Sequence, residues 1–138
     1  MENTSPPRRV VLAVSGASGA IYAVRCLQML VASDIEVELI YSNAARRVLV
    51  EECDIYFDGD LTVLLPDLAT HALVTVHAHD DIGARPASGS GLGEAVIVLP
   101  CSLSTLAGIS CGSAANLIER SAQVALKEQR KLVIVPRE

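Results

Sequence analysis

The residues able to do chemistry fall into a few short segments. Gly16-Ala17-Ser18-Gly19 places small residues and a hydroxyl directly after an apolar run. Where such a loop opens a helix, free backbone N–H groups and the helix dipole attract an anion such as phosphate. The spacing is GxxG rather than GxGxxG, and a tight strand-to-helix turn uses the same residues for steric reasons alone. Ser102-Leu103-Ser104-Thr105 is a second hydroxyl-rich segment. It offers either another anion site or a plain helix N-cap at Ser102. Arg120 and Lys127 stand seven residues apart, so on a helix both cations leave nearly one face, with Val124 between them. That face reads either as a solvated edge or as a site for a second phosphate. In the second case Glu138 would be an acid or base beside it, its pKa set by those cations.

Other reactive side chains read more plainly. Cys101 follows a proline, but no suitably placed His accompanies it, so it reads as a buried structural thiol. Cys26, Cys53, Cys101 and Cys111 lie far apart without a CxxC pair and are expected to be reduced. His77 and His79 share a strand face ahead of Asp80 and Asp81, yet no third ligand is legible, so no metal is expected.

These residues need elements to position them. Val10 to Val14 is an unbroken apolar run that reads as a buried strand, and about Ala20 to Ala32 has near-helical spacing of Ile21, Val24, Leu27, Met29 and Leu30. Glu36 to Tyr41 alternates as a strand, and Ala44 to Glu52 reads as a helix. Residues 54–72 show no clear period. Leu73 to His77 reads as a third strand, followed by a Gly/Ser/Pro-rich loop over 84–93. Ala95 to Leu99 is a fourth strand expected to stop at Pro100. Helices are expected over Ser102 to Ser110 and Asn116 to Gln129, and a fifth strand over Leu132 to Val135.

Strands alternating with helices predict an α/β fold with right-handed crossovers and a parallel sheet. Ligands of such sheets bind beyond the carboxyl ends of the strands. Those ends carry Ser15 to Gly19, Ser42-Asn43, Cys101 to Thr105, and Arg137-Glu138, all brought to one edge. A binding edge is expected there.

Composition narrows the function further. With 51% hydrophobic residues, 3% aromatic and no Trp, the core must consist of Val, Leu, Ile and Ala, as suits a sheet buried on both faces. A net charge of −5 without a basic cluster argues against nucleic acid. The apolar run at Val10 is too short for a leader, and no stretch approaches the roughly 20 apolar residues of a membrane span. The chain reads as cytoplasmic.

Taken together, Val14-Ser-Gly-Ala-Ser-Gly-Ala20, Pro86-Ala-Ser-Gly-Ser90, Pro100-Cys-Ser102 with Thr105-Leu-Ala107, Asn116-Leu-Ile-Glu-Arg120, Leu126-Lys-Glu128 and Val135-Pro-Arg-Glu138 resemble the UbiX flavin prenyltransferases. Older usage calls that family aromatic-acid or octaprenyl-hydroxybenzoate decarboxylases. The resemblance implies a Rossmann-like (flavodoxin-like) three-layer sandwich that binds FMN. It implies transfer of a dimethylallyl group from dimethylallyl phosphate to N5 and C6 of reduced FMN, without a metal. The product, prenylated FMN, would serve a UbiD-type decarboxylase in ubiquinone synthesis or aromatic-acid breakdown.

Carried over by motif, Gly16, Ala17, Ser18, Ser42, Ser102, Leu103, Ser104, Thr105 and Arg137 are expected to contact FMN, with Ser18 near the flavin N5 and moving protons. Arg120, Lys127 and Glu138 are expected to hold the allylic phosphate and assist its departure. Ser88, Gly89 and Ser90 would line the same cavity. The family forms homo-oligomers, typically dodecamers, with flavin at subunit junctions. Its members continue past a matching Pro-Arg-Glu with a helix, a strand and a terminal helix. The expectation is therefore a single FMN-binding α/β domain over 1–138 without that C-terminal segment.

Two alternatives share the scaffold. One is a flavin-dependent decarboxylase of cysteinyl substrates, disfavoured because Pro100-Cys-Ser-Leu-Ser-Thr105 stands where those proteins carry an Asn-rich segment. The other is an inactive FMN-binding fragment. Dinucleotide binding is set aside, since Tyr41-Ser42 stands where an acidic residue would close the second strand.

Overall fold

A computed structural model describes residues 8–138, so residues 1–7, part of the polar start read above, lie outside it. Five strands, β1 (Arg9–Val14), β2 (Glu36–Tyr41), β3 (Val74–Ala78), β4 (Ala95–Cys101) and β5 (Lys131–Pro136), form one sheet ordered β3-β2-β1-β4-β5. Every neighbouring pair is parallel, as the alternation of strands and helices predicts. Central β1 is buried from Val10 to Val14 because both of its faces are covered. Leu12 and Val14 join Leu39, Tyr41 and the buried side of α1 (Ala20–Ala32) in one core cluster. Val11 and Ala13 point the other way, with Val96, Val98, Leu117 and Ala122, into a second.

The helices begin where the sequence supplies caps. Ser42 accepts a hydrogen bond from the Ala45 N–H and opens α2 (Asn43–Cys53). Ser102 does the same for Thr105 at α3 (Leu103–Ser110), and Asn116 for Glu119 at α4 (Leu117–Lys127). The expected α4 was longer. Asn116 is its cap, and the helix ends before Gln129, whose φ of 55° leaves the helical region.

Two segments depart from the sequence reading for physical reasons. Pro100 does not end β4. The strand runs on to Cys101, because the Pro100 carbonyl still accepts from Ser15 and a register shift between Val98 and Cys101 passes over its missing N–H. Residues 54–72 hold two 3₁₀ turns, Leu61–Val63 and Leu68–Leu73, each capped by an Asp side chain. They bring Phe57, Leu64 and Leu65 into the first core cluster. Such short turns have neither the helical nor the strand period, so no pattern betrays them.

Candidate functional site

The chain leaves β1 toward α1 on one face of the sheet and leaves β4 toward α3 and α4 on the other. A crevice therefore opens between the carboxyl ends of β1 and β4. Ser15 stitches its floor. The buried hydroxyl donates to the Pro100 carbonyl at 2.9 Å and accepts from the Ser102 N–H at 2.8 Å. The sequence reading placed Ser15 on the binding edge immediately after β1 but gave it no role of its own.

Gly16 follows, and here sterics decide. A Cβ at this position would lie 2.4 Å from the Ala44 Cβ, so α2 can approach only a glycine. The Ser42 N–H bonds the Val14 carbonyl at 3.1 Å, which brings the start of α2 to the same edge.

The expectation of free N–H groups at the start of α1 is corrected by the structure. The Gly19 and Ala20 N–H groups both donate to Glu52 Oε1, at 2.9 and 3.0 Å, and the Ser18 N–H donates to the Glu138 carbonyl at 2.8 Å. A carboxylate of the chain thus occupies the position an outside anion would take. Glu52 is held below the ordinary carboxylate range, first by the Ala20 N–H, then by that of Gly19 and by the Ser18 hydroxyl, with a smaller contribution from Arg137. Nothing in the spacing of α2 marks Glu52, which is why the sequence reading missed it.

N–H groups without a partner among the described residues stand instead at the start of α3. The Ser102 hydroxyl caps Thr105 N–H at 3.2 Å and donates to Thr105 Oγ1 at 2.9 Å, so the N-cap alternative is realised. The Leu103 and Ser104 N–H groups carry no hydrogen bond among the described residues, and Leu103 and Ser104 are exposed at the edge. Arg137 reaches the same edge from β5. Its N–H bonds the Cys101 carbonyl at 2.9 Å, and its guanidinium lies over Tyr22, 5.4 Å from the ring centroid. Gly19, at φ 101°, makes room for it, since a Cβ there would sit 3.3 Å from the Arg137 side chain.

The structure therefore gathers Gly16, Ala17, Ser18, Ser42, Ser102 to Thr105, Arg137 and the main chain of Glu138 around one crevice. It does not bring the other predicted residues there within one copy of the chain. Arg120 and Lys127 line a separate groove of about 210 Å³ on α4 with Gln123 and Val124, and neither side chain forms an ion pair among the described residues. Ser88, Gly89 and Ser90 lie toward the opposite edge of the sheet. A Cβ at Gly89 would meet Glu128 at 2.8 Å, and the nearby Glu94 N–H bonds the carbonyl of Arg9, the first residue of β1. The cause is topological: the 79–94 connection must return to the amino end of β4, and α4 runs back toward the amino end of β5. The expected shared cavity is thus not formed by a single copy.

A cavity of about 600 Å³ runs beside α1 past Cys26, Met29, Leu99 and Val135 to Arg137. It is lined mostly by apolar side chains and lacks the converging amides and hydroxyls of the crevice, so the crevice is the better phosphate site. Cys101 is fully buried, and burial raises its thiol pKa, as befits a packing residue. No helix among the described residues is long and apolar enough to cross a membrane.

Known proteins share this architecture. The profile of the family described as Flavoprotein matches residues 1–138. Flavin prenyltransferase UbiX of Pseudomonas aeruginosa is 42% identical over 97% of this chain and 66% of its own length. A crystal structure of AnUbiX (PadA1) in complex with FMN and dimethylallyl pyrophosphate superimposes with a TM-score of 0.83 at 37% identity, over 96% of this chain and 66% of that one. A dodecameric FMN-dependent UbiX-like decarboxylase from Escherichia coli O157:H7 gives a TM-score of 0.80 at 36% identity, over 94% and 67% of the two chains. The chain spans about two thirds of the length of these relatives. By family profile, sequence identity and fold, the chain belongs to the flavoprotein family, among relatives of the UbiX flavin prenyltransferase type.

Proposed function

We propose that the chain acts as a flavin prenyltransferase, joining a dimethylallyl group from dimethylallyl phosphate to reduced FMN. The observation that carries this reading is the set of hydrogen-bond donors at the α3 side of the β1/β4 crevice. The Leu103 and Ser104 N–H groups, unpartnered among the described residues, the hydroxyls of Ser104 and Thr105, and the Arg137 guanidinium suit a phosphate dianion. The turn at Gly16 to Gly19 carries little side chain, which suits a flat ring lying against the backbone. These residues fit FMN. Reduced FMN would supply an electron-rich ring whose N5 and C6 take up the allylic carbons.

The chain's own groups would do the rest. The Ser18 hydroxyl, in contact with the ionised Glu52 carboxylate, is placed to hold or pass a proton at its Oγ. Arg120 and Lys127 would neutralise the phosphate as its C–O bond breaks, with Glu138 as the acid or base of that departure. Because these cations and Ser88 to Ser90 stand away from the crevice in one copy, a second copy completes the donor site. This agrees with the dodecamer of the Escherichia coli relative. The product would pass to a UbiD-type decarboxylase in the cytoplasm.

The test is anaerobic incubation with FMN, dithionite and dimethylallyl phosphate, followed by mass spectrometry of the extracted flavin. A gain of one dimethylallyl unit is expected. Flavin that stays bound but unchanged in mass would reject prenyl transfer and leave a flavin carrier.

A further inference from the structure

Away from the crevice, charged groups gather among the described residues around Glu38 of β2, which is 2% exposed. Its neighbours in β2, Val37 and Leu39, face the first core cluster, so Glu38 faces the side covered by α4 and the 79–94 connection. Three cationic or proton-donating groups from three different segments converge on this one carboxylate. His77 Nε2 of β3 lies 2.5 Å from Oε2, while Arg85 Nη1 of the connection and Arg9 Nε of β1 lie 3.4 and 3.9 Å from Oε1. Arg9 also bonds Glu36 at 3.2 Å. A buried carboxylate is retained only where such partners offset its lost hydration.

Of these partners, Arg85 alone belongs to the 79–94 connection, where it opens the short 3₁₀ turn Arg85–Ala87, and it organises that segment. Its carbonyl accepts from both the N–H and the hydroxyl of Ser88, each at 3.2 Å. Gly91 folds back so closely that a Cβ there would lie 2.6 Å from Arg85 Cγ. On its far side the segment rests against Glu128, just past the end of α4. Ser88 and Ser90 are thus exposed at the tip of a connection pinned from below by a buried anion.

We propose that Glu38 is a positioning residue: through Arg85 it holds the Pro86-Ala-Ser-Gly-Ser90 segment across the sheet and so sets where Ser88 and Ser90 meet the prenyl donor. The part concerning the donor rests on the function proposed above; the anchoring part does not. His77 belongs to β3 and Arg9 to β1, where it is shared with Glu36, so Arg85 is the contact whose loss frees the segment without opening the core.

Amide hydrogen exchange read by mass spectrometry tests the anchor with no need for turnover. In Arg85→Gln, peptides over 84–92 should exchange about tenfold faster while β1, β2 and β4 peptides keep their protection. Arg85→Lys, which keeps the charge, should restore much of that protection, and Glu38→Gln should reproduce the Arg85→Gln pattern wherever it folds. Unchanged exchange over 84–92, or an even rise across the whole sheet, would overturn the anchor. In the same Arg85→Gln protein, KM for dimethylallyl phosphate should rise about tenfold with FMN affinity unmoved. Faster exchange with an unmoved KM would overturn the donor role of Ser88 and Ser90 and leave the anchor standing.

Discussion

At the carboxyl edge of β1 and β4 several side chains are bonded to backbone, whereas on the outer face of α4 two cations form no ion pair among the described residues. Ser15 ties Pro100 to Ser102, Glu52 closes the start of α1, and the Ser42 and Ser102 hydroxyls cap helices. Arg120 and Lys127 face an open groove with Val124 between them. The difference separates two kinds of functional residue. Those of the crevice hold the fold and, on the proposed function, the ligand at once, so altering them should disturb both. Those of α4 contribute charge alone, so altering them should spare the fold.

The comparison can be broken most forcefully at Gly16. Gly16→Val drives its side chain into Ala44 and should destabilise the protein by about 3 kcal/mol, at the upper end for an overpacked site, with flavin binding lost. Urea denaturation and flavin fluorescence measure both. Ser15→Ala is the next largest change. It leaves the Ser102 N–H without its buried acceptor and should cost about 1–2 kcal/mol by the same denaturation assay.

The smallest expected effect is a pH dependence. Glu52 is more acidic in the folded chain than in the unfolded one, so its contribution is full above the ordinary carboxylate pKa. It is lost as pH falls below that value through the depressed one. Glu52→Gln should therefore flatten the acid limb of a Tm-against-pH curve, and an identical limb would show that Glu52 does not cap α1.

How much of this was legible depended on how far each signal reached along the chain. The limits of α1 and β2 followed from local period, and the carboxyl-edge residues followed from reading strand ends in order. Pro100 misled because its carbonyl, invisible in a propensity argument, still serves the neighbouring strand. Glu52 and the bonding role of Ser15 escaped because each acts through a partner far away in sequence: Glu52 on the start of α1, and Ser15 on Pro100 and Ser102. Arg120 and Lys127 were correctly read as sharing one helix face, yet no periodicity says which crevice that face meets.

The central claim is that flavin is held at the start of α3 and not at α4. It is tested most directly by titrating FMN into two variants, Ser104→Ala/Thr105→Val and Lys127→Ala, and following prenyl transfer in parallel. The first should lose at least about tenfold in FMN affinity, one lost charge-assisted contact's worth. The second should keep wild-type affinity and Tm while its turnover falls about 100-fold or more, as for removal of one preorganised charge. Unchanged FMN affinity in the α3 variant together with flavin loss in Lys127→Ala would contradict the account.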